Sequence, residues 1–393
     1  MSLADGTLRR GGRVGIVSCV REAPVFDPGN RGRDGFEALG IPYYYVPFPD
    51  GQRPDRRPLD ALRAVKALTE AVTAFRPDVL HLHSFSLFPY AWMMRALTGT
   101  PILSTIHFNL DPHRAGVRAL GALNALVRVV PDGLIALSRE QEEQFQTMLH
   151  APADRIFRVP HGIDATHFRP PTRTERTAAR ATFGLASDAR AVALIGRLDA
   201  LKGHDVLIRA MGHLRDRGLT GTVLLAGTGA GEPEIRRLVE AEGLTSSVQF
   251  LGFADSREVL WASDVSVLPS RREAFGLVPV ESMLCGVVPI RTPTSGARDQ
   301  IIDGKTGFIT PFDDAEALAD RLGLLLADPA RRAHMSAAAL DRARAHFTAD
   351  AMITRTLAVY AGLAGRPNRG PTEGARSVPD GDLPRERETV CSP

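Results

Sequence analysis

The chain has 393 residues, of which 44% are apolar and 24% charged, and its formal net charge is +3. Those values exclude a wholly disordered or fibrous chain, favour two domains over one, and leave no charge excess for a large nucleic-acid footprint. The three scattered cysteines, Cys19, Cys285 and Cys391, suggest neither a disulfide framework nor a zinc site. With no long apolar run and no signal-peptide core, they point to a cytoplasmic protein that does not span a membrane.

In the first half, short apolar runs bounded by turn residues predict strands at RVGIVS (13–18), YYYVPF (43–48), DVLHLH (78–83), PILSTIH (101–107), GLIALS (133–138) and RIFRVP (155–160). Between them, LDALRAVKALTEAVTAF (59–75) spaces Leu62, Val65, Leu68 and Val72 as the apolar face of a crossover helix. RALGALNALVRVV (118–130) fits either a core-packed crossover helix or a basic helix on a membrane surface. His81 and His83, two apart on a predicted strand, share one face, and His107 closes PILSTIH. Metal, substrate or a purely structural hydrogen bond each explains them, and no third ligand stands at a metal-binding spacing.

Adjacent prolines and polar residues in DATHFRPPTRTERTAARATFGL (164–185) mark a linker. A second series of strands follows: AVALIGR (191–197), TVLLAGTG (222–229), VQFLGF (248–253), DVSVLPS (264–270), VVPIRT (287–292) and TGFIT (306–310). The simplest architecture is α/β, with two doubly wound domains, residues 1–170 and 171–345, facing across a cleft. Residues 365–393, rich in Pro, Gly and charge, read as a disordered tail.

Ligands of open α/β sheets bind beyond the carboxyl ends of the strands, where this chain places its notable residues. In REAFGLVPVE (272–281), Pro279 suits the first turn of a helix beginning near Val278, and Gly276 lets the preceding loop approach a ligand. The amides of Phe275, Gly276, Leu277 and Val278 then face an anion such as phosphate. Glu281 can accept from a vicinal diol such as ribose, and Glu273 can face a second polyol, although glutamates near helix starts are also common for their dipole alone. In IGRLDALKGHDVLIRA (195–210), Arg197 and Lys202 are two cations at a strand's carboxyl edge, and Lys202 is one of only three lysines, with Lys66 and Lys305. A departing diphosphate needs either fixed cations or a divalent metal. The one Asp-x-Asp, Asp380 and Asp382, falls in the tail, so cations are favoured and no metal or cofactor is expected. The Gly227-Thr-Gly229 turn lacks a third glycine, Glu232 standing there, which weakens a nicotinamide reading.

Glu-x7-Glu in SRREAFGLVPVESMLCGVVPI, GRLDALKGHDVLIRA, VPHGIDATHF (159–168), the Gly-Thr-Gly turn, QFLGF, and TSGARDQIIDGKTGFITPFDD (294–314) together resemble the retaining glycosyltransferases of family 4, over nearly the whole chain to about Leu363. The resemblance implies two Rossmann-like domains in the GT-B arrangement, with residues 346–363 as a closing helix that crosses back to the first domain. It implies a small-molecule nucleotide-sugar donor gripped by Arg197 and Lys202, the amides of Phe275 to Val278 on phosphate, Glu281 on ribose and Glu273 on the sugar. Gly227, Gly229 and Phe253 fall on the same donor side, and His107 lies near donor sugar and acceptor. Within the family the chain is similar to enzymes of aminoglycoside antibiotic pathways, which implies a small acceptor such as an aminocyclitol, with Glu22, Asp27 and Asp111 as carboxylates for its amines. A lipid or polysaccharide acceptor, or a two-domain binding protein without catalysis, would use parts of the same cleft; a monomer or homodimer is expected. Three departures stand out: a short 27–42 segment without paired glycines, His161 where Asn is common, and Asp299 where Glu is frequent.

Overall fold

The computed structural model describes residues 2–18, 32–46, 57–84, 87–107 and 124–365. Glu22, Asp27 and Asp111 lie outside the described residues, as do residues 118–123 of the 118–130 segment, Asp380, Asp382 and the tail beyond 365.

Each of the twelve apolar runs holds a strand, and among the described residues every strand pair is parallel. In the amino-terminal half, β1 (Ile16–Ser18) pairs with β2 (Tyr43–Tyr45), and β3 (Leu80–Leu82), β4 (Ile102–Thr105), β5 (Gly133–Ala136) and β6 (Ile156–Arg158) form a separate four-stranded sheet in sequence order. The carboxy-terminal sheet comprises β7 (Ala191–Ile195), β8 (Thr222–Ala226), β9 (Val248–Gly252), β10 (Val265–Leu268), β11 (Val288–Arg291) and β12 (Phe308–Ile309). Its spatial order, β12-β11-β10-β7-β8-β9, is the 3-2-1-4-5-6 order of a doubly wound sheet read from the other edge. β7 is apolar throughout and β10 nearly so because helices cover both faces, which removes the alternation seen when one face meets water. The two strands are neighbours, and the chain leaves them in opposite directions, so a crevice opens at their carboxyl ends.

The halves share an apolar seam. Leu103, Ile135, Leu137, Val159 and Ile163 from the first pack with Phe275, Val280, Met283, Phe347 and Val359 from the second. Ile163 also pairs its backbone with Phe347 and Ala349 (2.9 and 2.8 Å), a contact that Gly162 permits because a Cβ there would lie 2.3 Å from the Thr348 carbonyl. Beyond this point the helix Ala349–Ala364 lies against the amino-terminal helix Ser2–Arg9; Arg10 donates to Thr354 at 2.8 Å, and the Tyr360 hydroxyl is 2.6 Å from His81. Phe347 is completely buried in this seam. Phe347→Ala is expected to lower the free energy of unfolding by about 3–5 kcal/mol, through lost burial and the cavity left behind. Urea titration checks this, with an unchanged midpoint as the contrary result.

Candidate functional site: two adjoining cavities in the cleft

The crevice at the carboxyl ends of β7 and β10 is a cavity of about 300 Å³ lined by Ile195, Gly196, Arg197, Lys202, Leu268, Glu273, Gly276, Leu277 and Val278. Lys202 sits in a short turn, 200–202, capped by Asp199, whose carboxylate accepts from Leu201 N at 2.9 Å and also pairs with Arg197 Nε. Arg271 secures this turn from the β10 side: its amide donates to the Leu201 carbonyl (2.8 Å), and its guanidinium bridges Asp205 and Asp313 (2.7 and 2.6 Å). Gly203, at φ +70°, passes so close to Pro269 that a Cβ would meet its carbonyl at 2.1 Å. Lys202 Nζ consequently stands 2.6 Å from Glu273 Oε1, which also accepts from Ser270 Oγ at 2.8 Å. After Glu273 the chain turns at Gly276, φ +74°, into the helix Val278–Leu284 with Pro279 in its first turn. Glu281, on that helix, is pushed by burial up to about 7.

A second cavity, of about 220 Å³, shares Leu277 with the first and reaches into the amino-terminal half. Four imidazoles line it. His81 bridges the hydroxyls of Tyr360 and Thr105 (2.6 and 2.7 Å), His83 Nδ1 is 2.8 Å from His107 Nε2, and His161 stacks on His107 with ring centres 5.3 Å apart. Leu3, Ile135, Leu137, Val159 and Met352 supply the apolar wall. Burial, then the neighbouring imidazoles, hold His81 well below the usual histidine range and bring His83 and His161 to about 4; burial also lowers His107. The cluster is neutral at physiological pH, and each ring can donate from one nitrogen and accept at the other. Among the described residues no group of three or more His, Cys, Asp or Glu side chains is arranged to hold a metal ion.

Comparison with known proteins matches both halves. Residues 1–162 fit the model of a glycosyl transferase 4-like domain and residues 175–342 that of glycosyl transferases group 1. The D-inositol 3-phosphate glycosyltransferase of Xylanimonas cellulosilytica is 32% identical over 302 residues, 72% of each chain; that of Thermobispora bispora is 32% identical over 324 residues, 77% of this chain and 74% of the relative. The chain belongs to the group 1 glycosyltransferases. It is a hexosyltransferase. Solved structures of the same fold include a glycosyltransferase from Rickettsia africae (TM-score 0.80, 18% identity, 93% of this chain and 94% of that one). Another is Anabaena HepE in complex with UDP and glucose (TM-score 0.72, 21% identity, 85% and 89%).

The glycosyltransferase gathers Arg197, Lys202, Glu273, Gly276, Leu277 and Val278 around one cavity, and places His107 on the other. The Phe275 side chain is buried instead, edge-on to His161 and against Phe347, so the residue joins the two cavities from behind. Gly227 and Gly229 stand behind the β7 loop: a Cβ at either would meet the carbonyl of Gly196 or Leu198 at 2.1 or 2.3 Å, so their absent side chains let the β7 and β8 loops pack. Phe253 projects into solvent after β9, 64% exposed. Neither Phe253 nor Glu281 is in the cavity wall. Asp299 accepts from the Arg139 amide at 2.8 Å across the seam. Tyr360, Thr105 and Leu3 carry no site signal in the sequence, and the one signal for His161 is its place in VPHGID.

The His161 ring sets a pH dependence of known sign. Its folded-state pKa of about 4 lies below its ordinary 6.5, so between those values the unfolded chain binds a proton that the folded chain refuses. The contribution of His161 to stability is fully present above about 6.5 and is lost as pH falls toward about 4. Glu281, raised to about 7, acts oppositely in the overlapping range, so the variant must be compared with the parent. His161→Asn is expected to show a smaller fall in melting temperature between pH 7 and pH 4.5 than the parent, in matched scans. Superimposable pH profiles would contradict the assignment.

Proposed function

We propose that this glycosyltransferase transfers a hexose or amino-hexose, with retained anomeric configuration, from a nucleoside diphosphate sugar to a hydroxyl of a small cyclitol. The observation that carries the reading is the cavity at the β7/β10 switch point, where two cations and the turn at 276–278 converge on a space fit for a diphosphate. UDP is the nucleotide of choice because HepE, which shares the fold, is described in complex with UDP. In this reading Arg197, Lys202 and the amides of the turn bind the diphosphate, and Gly227, Gly229 and Phe253 flank the donor. Glu281 binds the ribose diol, Glu273 accepts from hydroxyls of the sugar, and His107 meets the sugar and the incoming acceptor where the two cavities adjoin.

The glycosidic C–O bond breaks toward the diphosphate, and the acceptor oxygen bonds to the anomeric carbon on the same face. The acceptor proton passes to the departing phosphate oxygen. Charge building on that phosphate is met by Arg197 and Lys202, fixed in place before the reaction, so the transfer needs no added divalent ion. Lys202→Ala is expected to lower kcat by about two orders of magnitude or more. Steady-state assays in EDTA check both points: near-normal turnover of the variant removes Lys202 from the role, and activity restored only by a divalent ion removes the metal-free mechanism.

For the acceptor, the reading is an aminocyclitol of the 2-deoxystreptamine type, with Glu22, Asp27 and Asp111 as partners for its ammonium groups. The D-inositol 3-phosphate enzymes among the relatives favour a second reading, a phosphorylated cyclitol. Mass-spectrometric screening of UDP-sugars against 2-deoxystreptamine, inositol and inositol 3-phosphate decides between them. Product with 2-deoxystreptamine supports the first, product with inositol 3-phosphate alone the second, and product with none refutes the cyclitol class.

A further inference from the structure

We propose that Arg291, the last residue of β11, is a positioning residue for the donor diphosphate, shaping the turn at 275–277 from behind and placing a buried positive charge beneath it. The inference rests on the reading that a diphosphate occupies the β7/β10 cavity. Arg291 is 0% exposed. Its guanidinium donates to the Phe275 carbonyl (2.9 Å), the Thr294 hydroxyl (2.7 Å), the Ser295 carbonyl (3.2 Å) and the side-chain oxygen of Gln300. All four acceptors are neutral, and among the described residues no carboxylate lies within ion-pair distance of it. Burial lowers it only to about 10, with the charges of Glu273 and Glu140 acting the other way from beyond ion-pair distance, so it is charged at neutral pH. A guanidinium held by neutral acceptors is costly to bury, and the more distant Glu273 and Glu140 offset that cost only in part.

Gln300 Nε2 donates to the carbonyls of both Phe275 and Gly276 at 2.9 Å, so with Arg291 it draws two successive carbonyls of the turn into the interior. In a trans peptide the N–H points opposite to its carbonyl, so the amides of Gly276 and Leu277 are turned the other way. Both residues line the cavity. The separation is short: a Cβ at Gly276 would meet Arg291 Nη1 and Nη2 at 3.5 Å. The fork also holds Thr294 and Ser295, and that loop contacts the first half, Ser295 Oγ lying 2.7 Å from Ser138 Oγ and Gly296 N donating to Glu140 at 3.2 Å. One side chain therefore fixes the anion-facing turn and the loop that meets the other domain.

The test is calorimetric titration of parent and Arg291→Met with UDP, ADP and GDP, and with the nucleoside matching whichever diphosphate the parent binds. Methionine approximates the length of the side chain and removes its charge and fork. The variant is expected to lose tenfold or more in affinity for the diphosphate, the scale of lost bonds to a charged group, and to bind the nucleoside as the parent does. Donor KM should rise with it and acceptor KM stay within about twofold, a split that general loosening of the site would not produce. Equal loss for diphosphate and nucleoside, or no loss for either, overturns the role of Arg291 while leaving the donor reading standing. A parent that binds none of the three diphosphates overturns the donor reading and this inference with it. Should Arg291→Met not fold, Gln300→Leu, which keeps the charge and removes both bonds of Gln300 to the turn, is expected to show the same selective loss on a smaller scale; unchanged diphosphate affinity there is the contrary result.

Discussion

The amide of Arg271 on the Leu201 carbonyl, together with Gly203 pressed against the Pro269 carbonyl, joins the loops that leave β7 and β10. Those strands are adjacent, and their chains depart in opposite directions, so without this contact the loops would splay and Lys202 would hang in solvent. With it, a lysine from one loop and a glutamate from the other meet at 2.6 Å, with side-chain exposures of only 22% and 12%. A left-handed backbone angle at Gly203 is the local requirement, because any side chain there would occupy the space of a neighbouring carbonyl. The cavity is thus a product of backbone packing first and of charged side chains second.

The seam between the halves obeys the same logic. Gly162 lets two backbones touch, apolar side chains from both halves fill the space around them, and Phe275 and His161 meet edge-on at 5.8 Å. Because Phe275 belongs to the turn that leads into the first cavity and His161 to the imidazole cavity, the two sites are mechanically adjacent as well as close. Leu277 serves as a wall of both. A change in the angle between the halves would alter both cavities together, since the Ser138–Ser295 and Glu140–Gly296 contacts link the same loops to the amino-terminal domain.

The strands were readable because buried parallel strands give short apolar runs, and here each run is punctuated by Gly, Pro or Asp. Arg197, Lys202 and Glu273 were readable because strand ends in this fold face ligand, so charged residues there are conspicuous. Distances between loops were not readable. Nothing local in Gly227-Thr-Gly229 distinguishes a glycine that touches ligand from one that lets a second loop pass behind it, and nothing in VVPIRT shows that its arginine is buried rather than solvated. His81 is similar: its partners Thr105 and Tyr360 come from 24 and 279 residues away, so its structural hydrogen bonds appear only when β4 and the last helix are in place. The pairing of β1 with β2 alone, apart from β3 to β6, likewise depends on tertiary placement that no single run encodes.

The two cavities differ in electrostatic character. One holds cations already engaged by carboxylates, Arg197 by Asp199 and Lys202 by Glu273, so an entering anion competes for charges that are fixed in direction but not left bare. The pairing keeps their orientation without the full desolvation cost of isolated buried ions. The other cavity is lined by neutral imidazoles and hydrocarbon, groups that can hydrogen-bond a hydroxyl without attracting an anion. Leu277 is the wall shared by the charged cavity and the neutral one, so in the proposed reading it would keep the diphosphate on its own side with the anomeric carbon within reach of both.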